Sequence, residues 1–209
     1  MSDTRDSKTY VVAKLADGKC WMTTPLRLAL SSSTTLTPAN TDLTANWTPQ
    51  FSSQTGAGIV WNKGEERSYA NGGAGYYTWY TATANRRGSI CAKGWRLPNN
   101  SNYSALLSTY LINNFATDLA YAQRIRNLFG LPTWWYNGVN GTWKRDNGNG
   151  AEDERWAGAW SSEAIDPGRG YLIATLTKVN SSETEISGQA WVSSSSSQHG
   201  VTVICTEGY

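Results

Sequence analysis

Apolar and polar positions alternate near the start of the chain, where Thr9-Tyr10-Val11-Val12-Ala13 and Lys19-Cys20-Trp21-Met22 flank the pair Asp17-Gly18. That pair tolerates the positive φ of a tight turn, so the pattern predicts a β-hairpin. Residues 31–54 are rich in Ser, Thr, Pro and Asn, with Leu36, Leu43, Trp47 and Phe51 isolated among them. A long irregular segment pinned by single apolar anchors is the expectation there. Residues 58–61 and 76–81 are β-prone and separated by a polar, Gly-rich stretch, which predicts two strands.

The period then lengthens. Tyr103, Leu106, Leu107, Tyr110 and Leu111 fall on one face of a helix opened by the capping residues Asn99, Asn100 and Ser101. A second helix is expected from about residue 117, with Leu119, Ala122, Ile125 and Phe129 inward and Arg124 and Arg126 outward. Gly130 and Pro132 stop it. From 134 to 167 Trp, Asn, Gly, Asp and Ser follow without periodicity, which reads as loop. β signals return in 171–177, 185–192 and 201–205 and predict a terminal meander. Strands at both ends around two central helices make an α+β chain, and the first hairpin and last strand can pair to bring the termini together.

Composition narrows the class. At 209 residues, with 39% hydrophobic and 16% charged residues, the chain suits one domain covering residues 1–209. Eleven Trp and eleven Tyr argue against disorder of the whole. The net charge of +2 is spread along the sequence without a basic block, so nucleic acid is not an expected partner. No apolar stretch reaches the length of a membrane span. The opening Met1-Ser2-Asp3-Thr4-Arg5-Asp6 lacks the apolar core of a secretory signal. Localisation stays open, with a cell-surface or extracellular setting favoured. Cys20, Cys91 and Cys205 are too scattered for a zinc site of the CxxC kind, and His199 is the sole histidine. One disulfide with a free thiol is the alternative in an exported protein, and free thiols in a cytosolic one. The Asn-x-Ser/Thr sequons at Asn46, Asn99, Asn102, Asn140 and Asn180 are mostly chance in a chain so rich in these residues.

Catalytic constellations are sparse. His199 stands beside the run Ser193-Ser194-Ser195-Ser196-Ser197, but adjacency in sequence is not a triad. Glu152, Asp153, Glu154, Glu163 and Asp166 offer pairs of carboxylates for glycoside hydrolysis, yet read more simply as a solvated surface. Residues 146–153 resemble a calcium loop without the alternating ligands or the terminal Glu of an EF-hand. No phosphate-binding Gly-rich loop is present, and neither cofactor nor metal is called for. The loop-rich half instead interleaves Trp134, Trp135, Tyr136, Trp143, Trp156, Trp160, Tyr171 and Trp191 with Asn, Ser, Gly, Arg and Asp. Such mixtures suit binding, because Tyr and Trp give large contact area for few frozen torsions while Ser, Gly and Asn adapt their hydrogen bonds. The plainer reading is burial under the loops, and Trp160, between Ala159 and Ser161-Ser162, is assigned to the core.

An ordered series of motifs adds to this. Thr4-Arg5-Asp6-Ser7-Lys8-Thr9-Tyr10, Cys20-Trp21-Met22-Thr23, Ile90-Cys91-Ala92-Lys93-Gly94-Trp95-Arg96-Leu97-Pro98, Trp160-Ser161-Ser162 and Gly200-Val201-Thr202-Val203-Ile204-Cys205 follow one another over nearly the whole chain. Together they resemble the Fibrobacter-type paralogous surface domain, which is related to the formylglycine-generating-enzyme type of C-type lectin fold. The sequence departs from that pattern at Ile204, where the surface domain usually has Arg. The same fold serves the variable proteins of diversity-generating retroelements, in which adenine-directed errors of reverse transcription scatter Asn codons to Tyr, Ser, Asp, Gly, Arg and His. The C-terminal half is similar to such a diversified region, and the archaeal subclass of these proteins is the preferred resemblance.

The resemblance implies a C-type lectin fold with paired N- and C-terminal strands, two helices and a large irregular loop region. It implies that Cys91 and Cys205 are buried and bonded to each other, leaving Cys20 as the odd thiol. The calcium–sugar signatures of animal C-type lectins are absent, so calcium-dependent sugar binding is not implied. The function expected is that of a non-enzymatic binding protein, whose variable face within about 134–200 meets a macromolecular ligand, a protein or a cell-surface structure. Its expected site residues are Trp135, Tyr136, Asn137, Trp143, Arg155, Trp156, Asp166, Arg169, Tyr171, Trp191, Ser195 and His199. A non-diversified adhesion domain of the Fibrobacter type is the alternative, and a glycan-active enzyme using the acidic loop ranks third.

Overall fold

The computed structural model describes residues 1–5, 7–28, 60–62, 75–83, 90–110, 119–132, 135–137, 142–144, 154–166, 168–179, 182, 185–196 and 199–208. The class is α+β. The predicted hairpin forms from β1 (Val12–Lys14) and β2 (Cys20–Met22), which pair antiparallel with Ala13 opposite Trp21. Gly18 takes φ +82° in the turn. Asp17 fixes it by accepting from the Lys19 amide at 3.1 Å and the Trp21 indole Nε1 at 2.9 Å. This hairpin joins β5 (Trp95–Arg96) and β11 (Thr206–Glu207) in a four-stranded sheet of order β1-β2-β11-β5. Thr206 lies opposite both Trp21 and Arg96, so the two ends of the chain meet in one sheet.

Short pieces follow in chain order: β3 (Val60–Asn62), β4 (Gly75–Tyr77) and the single turn α1 (Trp79–Ala82). β3 and β4 pair, but the β-prone run 76–81 does not continue as a strand. It turns helical at Trp79, whose buried indole donates to the Ser161 carbonyl at 2.9 Å. That bond fixes the indole against the strand that carries Ser161.

Helices α2 (Asn100–Tyr110) and α3 (Leu119–Leu128) occupy the predicted places. Asn99 caps α2 reciprocally, accepting from the Asn102 amide at 2.8 Å while its own amide donates to the Asn102 side chain at 3.2 Å. Glu163 accepts from the Asn100 amide at 3.0 Å, placing a carboxylate at the positive end of the helix dipole. α3 ends at Gly130, φ +57°, where the Leu131 amide returns to the Arg126 carbonyl at 2.9 Å. Tyr121, Ala122, Ile125 and Phe129 are buried, while Leu119 is half-buried. Arg124 is exposed. Arg126, expected outward, is instead half-buried in an ion pair with Glu185, because the strand that begins at Glu185 passes beside the helix.

β6 (Trp135–Asn137) and β7 (Thr142–Lys144) form a two-stranded ribbon. The largest element is the sheet of β8 (Glu154–Asp166), β9 (Arg169–Val179) and β10 (Glu185–Ser196), in order β10-β9-β8. β8 overturns the loop reading of 134–167. Its alternation was hidden because both faces are buried and one face is built of Ala157 and Ala159. The expectation for 201–205 is corrected as well. Val201 and Thr202 make single bridges to Tyr77 and Ala159, and regular pairing resumes only at Thr206. The segment acts as a connector, with the Val203 and Cys205 carbonyls accepting from the amides of Leu26 and Met22.

The three-stranded sheet divides the core. Ala157, Ala159, Ile173 and Ala190 face α2 and α3 in a cluster with Trp21, Tyr103, Leu106, Ile125, Phe129 and Ile204. Trp160, Leu172 and Ala174 face the other way, into a cluster with Tyr77, Trp79, Ile90, Leu97, Val201 and Val203. Cys91 and Cys205 lie in this second cluster, joined by a disulfide that spans 114 residues of sequence. Cys20 is a free, half-buried thiol, raised in pKa by its hydrogen bond to Glu207, by burial and by the Glu207 charge. A buried ion pair between Arg5 and Asp3 lies beside the same cluster, where Arg5 also donates to the Ile90 carbonyl at 2.8 Å.

Candidate binding site

Every expected site residue sits on a strand or beside one, and their registers sort them into groups. Trp135, Tyr136 and Asn137 lie on β6, with Tyr136 opposite Trp143 of β7. Asn137 is at the end of that ribbon opposite Thr142. The side chains of this ribbon lie outside the described residues.

On the three-stranded sheet, successive side chains point to opposite faces, so neighbours in sequence part company. Trp156 and Trp191 lie on the face of the disulfide-containing cluster and pack against its margin, both half-buried. Between them run Leu176 and Ala174, which pair with Trp156 and Trp191 respectively. Arg155 lies on the helix face instead, with its guanidinium 3.8 Å from the Glu185 carboxylate. Glu185 is the hub of that end: Arg126 donates to it at 2.5 and 3.0 Å, Gln123 at 2.7 Å and Thr177 at 3.0 Å. Burial alone would raise the Glu185 pKa, but the hydrogen bonds from Arg126, Gln123 and Thr177 and the Arg126 charge outweigh it and lower the carboxyl to about 2. This hub was not among the expected residues. The basic Arg126 at the end of a helix and an isolated Glu at the start of a strand were its only traces in sequence.

The remaining candidates lie at the opposite end of the sheet, near the β8–β9 turn, Arg169 and Tyr171 on the helix face and Ser195 with His199 on the other. Asp166 pairs with Arg169, which in turn lies opposite Ser196. Tyr171 is opposite Ser194, and Gly170 opposite Ser195. The Asp166 carboxylate accepts from the Gly168 amide at 2.7 Å and holds the turn. Arg169 is exposed and spends one N–H on the Ser194 hydroxyl at 2.9 Å. Beyond β10 the chain turns back, the His199 amide donating to the Ser196 carbonyl, so that Nδ1 of His199 comes 2.8 Å from the Ser195 hydroxyl. Burial pushes the His199 pKa down to about 4, which leaves a neutral imidazole near pH 7. Ile165, 49% exposed, adds an apolar edge beside the turn.

This end is rigidly backed. The register breaks between Trp160 and Ala164 and again before Asp166, which bends β8 toward the start of α2. The Ser162 amide donates to the Pro98 carbonyl at 2.8 Å, and the Ser161 hydroxyl to the Asn100 side chain at 2.9 Å. Gly170 lies under Trp79, so closely that a Cβ there would stand 2.3 Å from the indole Cδ1. A glycine at this point is a requirement of packing, which the sequence reading did not identify.

Two of the five acidic candidates have structural partners. Glu163 is engaged at the α2 N-terminus and Asp166 in its turn, while Glu152, Asp153 and the 146–153 run lie outside the described residues, as does the Glu154 side chain. Among the described residues no three His, Cys, Asp or Glu side chains gather to hold a metal, and no helix is long and apolar enough to cross a membrane. No family model, curated protein or solved structure matches the chain.

Proposed function

We propose that this chain is a binding domain of the C-type lectin kind, and specifically a variable protein of a diversity-generating retroelement, with the β8–β9 end of its long sheet as part of the ligand face. The observation that supports this reading is that Asp166, Arg169, Tyr171, Ser195 and His199 gather at one end of the long sheet, Arg169 and Tyr171 on its helix face and Ser195 with His199 on the other. Arg, Tyr, Ser and His at such a place combine charge, a flat amphipathic ring and adaptable hydroxyls, the usual equipment of a protein-binding surface. The sheet beneath them is held from both sides by buried clusters, so exposed side chains can be exchanged at a cost below about 0.5 kcal/mol each. The ligand is a macromolecule, a protein or a cell-surface structure, and the binding reading invokes no cofactor.

Deep sequencing of the locus in its source population tests this reading. Substitutions confined to adenines of a neighbouring template and clustered at residues such as Arg169, Tyr171 and Ser195 are the expected result. Sparse, uniform changes without a template would overturn it and leave the non-diversified adhesion domain.

A further inference from the structure

The chain begins with a small hairpin set apart from the named strands. Residues 1–5 fold back on 7–10: Ser2 bridges Thr9, the Asp3 amide donates to the Lys8 carbonyl at 2.8 Å, and the Tyr10 amide donates to the Met1 carbonyl at 2.8 Å. Its turn is strained, because Ser7 takes φ +58°, the left-handed region in which a Cβ crowds the backbone.

Three grips hold this hairpin down. Tyr10 is buried in the cluster that contains Cys91 and Cys205, and Met1 packs against the same cluster. Lys8 Nζ donates to the Arg27 carbonyl, and the Arg27 amide returns a bond to the Tyr10 hydroxyl at 3.1 Å. The third grip is Arg5. Its Nε and Nη2 hold the Asp3 carboxylate at 2.8 and 2.6 Å, and its Nη1 donates at 2.8 Å to the Ile90 carbonyl, which belongs to the peptide bond leading into Cys91. The side chains of this pair are each 1% exposed, and both bonded cysteines are wholly buried.

We propose that this hairpin is a strap that guards the disulfide, and that its local opening, without unfolding of the sheets, admits a dithiol reductant to Cys91. The device follows from where the strap is attached. It lies outside the loop from Cys91 to Cys205, so it can lift while the ring stays closed. A few separate grips hold it in place of a continuous ladder, the condition under which a segment opens alone and more readily than the whole fold. The Arg5 fork couples lifting to the Cys91 peptide, whose Ile90 carbonyl then turns to water. In the open state a thiolate of the reductant attacks Cys91 Sγ, and Cys205 leaves as a thiolate that takes up a proton. The second thiol of the reductant then displaces Cys91, which is released as a thiol, and the reductant departs as a cyclic disulfide. Two electrons and two protons pass to the protein, and the ring around α2, α3 and the long sheet is opened. This inference does not use the binding reading above, and neither depends on the other.

Reduction of the full chain by dithiothreitol tests it, with thiols beyond Cys20 trapped by alkylation and counted by mass spectrometry over a range of urea below the unfolding transition. The rate is expected to be nearly independent of urea, the mark of local opening. The Arg5→Met/Asp3→Asn variant removes both charges of the pair together and should raise that rate at least about tenfold. Glu185→Gln, at the far end of the long sheet, should leave it within about twofold of the wild type. Thermal melting establishes that each variant is folded, and Arg5→Lys, which keeps the charge and loses the fork, serves if the double variant is not. A rate that climbs with urea as steeply as global unfolding, a strap variant reduced no faster than the wild type, or an equal acceleration in Glu185→Gln would overturn the inference.

Discussion

The four-stranded sheet contains no strand longer than three residues, whereas β8, β9 and β10 run for thirteen, eleven and twelve. The short strands cannot hold themselves by ladder hydrogen bonds. They are fixed by bonds between residues distant in sequence: the Cys91–Cys205 disulfide, the Thr206 hydroxyl on the Cys20 carbonyl at 3.0 Å, and the Asp3–Arg5–Ile90 contacts. The long sheet depends instead on continuous pairing and on two buried faces. Regions of the first kind leave motifs in a sequence, because each residue has one job. Regions of the second kind leave patterns, and patterns fade when the residues are small.

The largest way to break this contrast is at the disulfide. In the chain-entropy account, a closed loop of 114 residues stabilises by about 4–5 kcal/mol. A Cys91→Ala/Cys205→Ala variant should lose that amount in chemical denaturation, with the Trp21 environment near the hairpin reporting the loss. If the variant unfolds within about 1 kcal/mol of the wild type, the short strands are held by packing alone.

A smaller effect is expected at Gly170. The variant Gly170→Ala places a methyl group against Trp79 and should cost about 3 kcal/mol, because the indole is buried and tied to Ser161. Gly168→Ala, in the turn beside it, is the comparison: its added Cβ meets only the Asp166 carboxylate oxygen, at 3.3 Å. Similar losses in both would show that the turn, not the Trp79 contact, governs this end.

At the far end of the same sheet, Glu185→Gln removes a carboxylate from Arg126 and should cost about 1–3 kcal/mol. The sign of its pH dependence follows from the lowered pKa. The folded state holds the carboxyl at about 2 against an ordinary 4.5, so the stabilisation is complete above about pH 4.5 and is lost as the pH falls toward 2. Urea denaturation between these limits should show a steeper acid loss in the wild type than in Glu185→Gln. Equal slopes would refute the role assigned to this carboxylate.

The least effect on stability is expected from Arg169→Ala, below about 0.5 kcal/mol, since the residue is exposed and makes one hydrogen bond to Ser194. Thermal melting checks this directly. A larger loss would mean that Arg169 supports the sheet rather than standing ready for a ligand.

These differences in support explain what could be read beforehand. The Asp17-Gly18 hairpin, the α2 cap at Asn99 and the Gly130 stop are local signals, and each appears where the residues predict it. β8 escaped because Ala157, Gly158 and Ala159 give no apolar alternation, although all three are buried. Arg126 was misplaced because a helical wheel cannot know that Glu185 arrives beside it from 59 residues away. For the site, residue type singled out Arg169, Tyr171 and His199, but only the register shows that Arg155 and Trp156 look to opposite faces. The need for glycine at 170 came from Trp79, far off in sequence, and had no local trace.

The Cys91–Cys205 bond has one further consequence. It closes a covalent ring that encloses α2, α3, both ribbon strands and the whole long sheet, and every expected site residue lies inside it. Because a ring limits the unfolded chain, its contribution is indifferent to which side chains the ring carries. Substitutions within it can therefore accumulate against a fixed reserve of stability that none of them can erode. A single peptide-bond cut inside the ring would likewise leave one covalent molecule, which separates into two only on reduction.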